Sequence, residues 1–141
     1  MERIGGGDPS GFDLGEMCFS CGDVYISSKA EKRLRMMIYL SAVGLIDSLL
    51  AVRLNKRAYF SAVDSSFSIL FTLNKDGVCI ESNLGIMGPF SLFEVLASVE
   101  AGVSDFIDDG AGLSARDSVY ADFNGAINDL RDEVRRCQGV T

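Results

Sequence analysis

A chain of 141 residues that is 48% apolar and 23% charged, with a mean hydropathy of +0.20, carries enough apolar material for one folded domain, which excludes disorder as its main state. Its net charge of −7 opposes free-standing binding of nucleic acid or an anionic membrane. It holds no histidine, which removes histidine-based triads, histidine metal sites and the commonest general base.

In chain order, residues 1–11 contain Gly5, Gly6, Gly7, Pro9 and Gly11 and are expected to form a flexible arm. The N-terminus lacks the apolar core and cleavage pattern of a secretory signal, so the expected setting is cytoplasmic, with reduced thiols. A hairpin is expected from Glu16–Ser20 and Val24–Ser27 around the turn Cys21-Gly22-Asp23.

Ser28-Lys29-Ala30-Glu31 has the form of a capping box, in which the serine accepts from the third helical amide and the glutamate reaches back. It predicts a helix from Ser28 to about Leu54, apolar on nearly every side and therefore buried. The alternative is a strand over Met36–Ser41 followed by a shorter helix from about Leu45. Met36–Val52 just reaches the spanning length for a bilayer, but Asp47 lies inside it, so a core helix is expected rather than a membrane span.

The strongest β signal follows. Ala58, Phe60 and Ala62 alternate with Tyr59, Ser61 and Val63, and Phe67, Ile69, Phe71 and Leu73 share one face of a second strand. Asn74-Lys75-Asp76-Gly77 closes a hairpin into Val78–Glu81, giving a three-stranded meander, and Asn83–Pro89 reads as a connection.

Ser91-Leu92-Phe93-Glu94 is a second capping box, with Phe90 and Val95 placed as a hydrophobic staple. The helix it starts carries Leu92, Val95, Leu96, Val99, Val103, Phe106 and Ile107 and should end at Asp108-Asp109-Gly110. A last helix is expected from about Ala115 to Cys137, with Gly139 as its stop. The fold class is thus α+β: an antiparallel sheet, a three-stranded meander plus an N-terminal hairpin, with about three helices packed on it, in one domain over residues 12–138.

Candidate chemistry is sparse. Cys18 and Cys21 form a C-x-x-C, but a zinc site would need Cys79 and Cys137 from distant elements, and a redox pair would sit at a helix start, so two unlinked thiols are expected and no metal or cofactor. The glycine run matches no phosphate-binding pattern, since Ser10 stands where the last glycine of G-x-G-x-x-G belongs. Asp47 and Asp64 are the carboxylates whose positions are least ordinary.

Charge is uneven along the chain: net −4 over residues 1–28, +5 over 29–57, −2 over 58–93 and −6 over 94–141. If the last two helices pack antiparallel, Glu100, Asp105, Asp108, Asp109, Asp117 and Asp122 come together as a docking surface for a basic partner. The Phe67–Glu81 hairpin, the Ser91–Ile107 helix and the acidic exit Asp105, Asp108, Asp109, with the size and charge of the chain, resemble bacterial immunity proteins that neutralise polymorphic toxins. The missing histidine argues against an enzyme, and the chain is expected to be a monomer or homodimer. The resemblance implies a cognate basic toxin domain, often a nuclease, whose active site or substrate surface is covered; from the charge, no nucleic acid or membrane partner is expected. Tyr120, Phe90 and Met87 are candidate apolar anchors. The alternatives are a small acidic secretion chaperone that takes up an extended apolar segment, a small carboxylate or thiol enzyme, and a subunit anchored in a membrane by Met36–Val52.

Overall fold

The computed structural model describes residues 1–138, so the expected stop at Gly139 lies outside the described residues. The architecture is α+β, as the sequence indicates. Strands β1 (Glu2–Arg3), β2 (Leu14–Glu16), β3 (Cys18–Cys21), β4 (Val24–Ser27) and β5 (Met36–Met37) precede helix α1 (Ile38–Asn55). Strands β6 (Arg57–Ser61), β7 (Ser68–Asn74), β8 (Gly77–Ser82) and β9 (Gly85–Phe90) follow, then α2 (Leu92–Phe106) and α3 (Tyr120–Gln138). All pairings are antiparallel: β1-β2-β5 is a small sheet, β3-β4 the expected hairpin with its first strand at Cys18–Cys21 instead of Glu16–Ser20, and β6-β7-β8-β9 a four-stranded meander.

The first departure from expectation is at Ser28. Its hydroxyl accepts from the Met17 N–H at 3.0 Å while its own N–H donates to the Met17 carbonyl at 3.0 Å, and the residue is fully buried. A side chain engaged this way cannot cap a helix. Residues 28–30 and 32–34 make single 3₁₀ turns separated by extended Glu31, and α1 starts only at Ile38. Met36–Met37 is a strand, so the alternative reading had a strand in the right place but ended it too late, at Ser41.

Once formed, α1 is buried on several sides, as its all-round apolar sequence requires. A Cβ on Gly44 would lie 3.8 Å from the Phe60 ring, showing how closely helix and sheet approach. α1 is the one described helix long and apolar enough to cross a membrane; in this fold it packs on β6, β7 and α3.

In the meander, Phe60, Ile69, Phe71, Val78 and Ile80 are buried, so the period of two seen in the sequence is the core face. The Asn74 side chain accepts from the Asp76 N–H at 2.8 Å in the expected hairpin turn. The connection Asn83–Pro89 is corrected to a fourth strand, β9, which pairs Met87 with Ile80 and Phe90 with Val78 across a bulge. Gly77 has φ of 125°, and a Cβ there would sit 2.3 Å from the Phe90 carbonyl oxygen, so the turn and the added strand both need glycine.

Ser91 caps α2 by accepting from the Glu94 N–H at 3.0 Å, as its motif predicts. α3 begins at Tyr120, not Ala115. Asp117 accounts for the delay: it accepts from the Val119 N–H in a local turn and from the Gly11 N–H, both at 2.9 Å. The expected arm is therefore tied down at two points, by Gly11 on Asp117 and by the pairing of β1 with β2.

Candidate functional site

α2 and α3 pack antiparallel. Arg131 of α3 donates from Nε to Glu100 at 3.2 Å and from its other arm to Ser104 at 3.2 Å. Further along, Phe106 and Phe123 both stack on Tyr39, with ring centroids 5.4 and 5.1 Å from it. The exit of α2 thus lies beside the start of α3, the arrangement that the short connection after Gly110 implied.

This packing sorts the six carboxylates into three groups. Glu100 is spent on the fold, ion-paired with Arg131 and hydrogen-bonded to Ser104. Asp117 is half-buried and holds backbone amides. Asp105, Asp108 and Asp109 are exposed at the α2 exit and make no ion pair among the described residues, as does Asp122 early in α3.

Asp122 does not stand alone. α3 also packs on α1, where it and Asp129 come near Asp47. Partial burial, then the charges of Asp129 and Asp122, push the Asp47 carboxyl above its ordinary value. Sequence reading singled out Asp47 but could not see its neighbours, because they sit more than seventy residues away on another helix. Its surface is exposed, at the polar edge of α1, and no base neutralises it among the described residues. Asp64 occupies a turn with φ of 56° and is exposed.

The basic segment behaves differently. Lys29 pairs with Glu2, Arg35 with Glu16 at 3.5 Å, Arg33 with Glu31, and Arg53 with Glu133 at 2.6 Å. Nearby, burial alone would raise the Asp13 carboxyl, but the Ser10 N–H and the Arg3 guanidinium hold it below its ordinary value. Two of these pairs, Lys29–Glu2 and Arg35–Glu16, join the basic segment to the acidic residues 1–28, and Arg53 joins it to α3. A separate stretch is purely acidic: residues 76–115 hold seven acids and no lysine or arginine, and they build β8, β9, α2 and its exit.

A second feature was not legible in the sequence. Between the β3-β4 hairpin, β9 and α2 lies an open apolar cavity of about 480 Å³. Met17, Phe19, Met87, Phe90, Val95 and Val99 line it, with Glu94 and Ser98 of α2 at the wall. Of the candidate anchors, Phe90 and Met87 belong to this cavity, and Tyr120 is half-buried at the start of α3.

Cys18 and Cys21 also line the cavity, in one strand. Three residues of extended chain separate their Cα atoms by about 10 Å. A disulfide needs less than about 7 Å. Strand geometry thus keeps the two thiols apart, and the described residues contain no group of three or more acidic, cysteine or histidine side chains placed to hold a metal.

Fold and surface together define a small α+β protein with an acidic helical flank and an apolar groove beside it. No protein-family model matches the chain, and no solved structure matches it. Among curated proteins it is similar to translation initiation factor RLI1 of Saccharomyces cerevisiae, 31% identical over 108 residues. The matched stretch is 77% of this chain, which spans only 17% of that relative's length.

Proposed function

We propose that this chain is a protein-binding domain that docks a basic protein partner on the flank formed by the α2 exit and the start of α3. The observation that carries this reading is the set Asp105, Asp108 and Asp109, exposed and without ion pairs among the described residues, in a forty-residue stretch free of lysine and arginine. These acids sit where a helix ends, so they oppose the negative helix terminus and gain nothing from it. Uncompensated charge of one sign speeds encounter with an oppositely charged surface and selects the partner.

In its finer form the partner is a basic, nuclease-type toxin domain, neutralised in the cytoplasm by occlusion of its active site or substrate surface. The match to the yeast initiation factor covers too little of that protein to bear on the partner. The test is charge reversal. Asp105→Lys, Asp108→Lys and Asp109→Lys together are expected to slow association with a basic toxin domain encoded beside this chain, most strongly at low salt. An association rate unchanged by the triple variant removes the exit from the interface. Failure of the unaltered chain to form a stoichiometric complex with that domain, or to protect cells from it, overturns the toxin reading.

A further inference from the structure

We infer that the groove between α2 and the β3-β4 hairpin receives the apolar face of a basic amphipathic helix supplied by the partner protein. This inference rests on the acidic-flank reading and names the partner's chemistry.

The shape argument starts on α2. Glu94, Val95, Ser98, Val99 and Gly102 face the cavity, a stripe that advances eight residues along the helix. At 1.5 Å per residue that is about 12 Å, or two helical turns. Gly102 leaves the end of the stripe open: a Cβ built on it meets nothing within 4 Å. The facing wall is Phe19 of β3 with Met87 and Phe90 of β9. Methionine adapts its shape to an incoming side chain, and aromatic walls supply large contact area. An apolar helix face, with anchors every three or four residues, fits a two-turn groove. An extended segment would instead need a free sheet edge, and along β9 that side is flanked by the hairpin, with Gly85 placed against Tyr25 and Val24.

The charge argument fixes the other face of the occupant. Glu94 is at the wall of the groove, and Asp105 lies one turn beyond Gly102 on the way to Asp108 and Asp109. No lysine or arginine occurs between Lys75 and Arg116. A helix seated on the groove meets carboxylates along the α2 side, so its solvent face is cationic. Apolar burial provides the anchor and the acids set orientation and encounter rate.

The test uses the whole chain and a synthetic leucine–lysine peptide with leucines at helical spacing, beside a scrambled peptide of the same composition. The patterned peptide is expected to bind one to one, gain helix on binding, and lose about tenfold or more in affinity to Gly102→Leu, which fills the groove. Gly125→Leu on α3 serves as the control: the added side chain is the same size, it meets open space outside the groove, and the variant is expected to bind normally and raise the melting temperature. The scrambled peptide is expected to bind weakly and to ignore both substitutions.

Equal binding of the two peptides with no effect of Gly102→Leu overturns the groove and leaves the acidic flank standing. Binding of neither peptide overturns both readings. Self-association of the pure chain that Gly102→Leu abolishes assigns the groove to a second copy and overturns the proposal.

Discussion

Tyr39, in the first turn of α1, donates its phenol to the carbonyl oxygen of Ala111 at 2.5 Å, across 72 residues of sequence. The ring is fully buried between Phe106 and Phe123, so one side chain joins α1 to the exit of α2 and to α3. The acidic exit takes its position from this contact.

Tyr39→Phe keeps the ring packing and leaves the Ala111 carbonyl without its partner. The expected loss is about 1–3 kcal/mol in denaturant unfolding. A pH signature accompanies it. Burial raises the Tyr39 phenol from 10 to about 12. The unfolded chain therefore loses this proton first, and the contribution of Tyr39 to stability, complete below pH 10, is lost as pH rises toward 12. Unfolding of the phenylalanine variant is expected to lack that part of the alkaline slope.

Two serines at the starts of similar motifs should respond for different reasons. Ser91→Ala removes an N-cap and is expected to cost about 1 kcal/mol, rescued by Asp or Asn, which cap equally well. Ser28→Ala orphans the buried Met17 N–H and is expected to cost about 1–3 kcal/mol, with no rescue by Asp, since a carboxylate would be buried there. Thermal melts of these variants would show the contrast; equal rescue at both sites would mean that Ser28 is a cap after all.

Asp47, partly buried and then crowded by Asp129 and Asp122, destabilises the ionised fold. Its folded pKa lies above the unfolded value of 3.8, so the stability it contributes is present below that value and is lost as pH rises through the folded pKa. Asp47→Asn is expected to match the parent at pH 3 and to exceed it at neutral pH by about 0.2–0.5 kcal/mol, the scale of a like-charge helix pair. Urea unfolding at the two pH values measures this, and added salt should shrink the difference.

What the sequence determined by itself is local. The alternation through Ile69 and Phe71, the Asn74–Gly77 turn, the Ser91 cap and the helical stripe that starts at Leu92 each depend on residues a few positions apart, and each is where its pattern places it. The same locality misleads at Ser28, where a sound capping pattern yields to a backbone pair with Met17, eleven residues away and already held in the core. It also hides β9, whose strand exists because Ile80 and Val78 offer a partner to Met87 and Phe90, not because Gly85–Phe90 favours extension. For the candidate site, the acids were legible and their availability was not. Whether a carboxylate is spent, as Glu100 is on Arg131, or left open, as Asp105 is, depends on which cation the fold brings within reach. The groove beside them is likewise a space between a hairpin, a sheet edge and a helix that no single segment encodes. Only tertiary packing decides such matters, because they depend on distances between residues far apart in the chain.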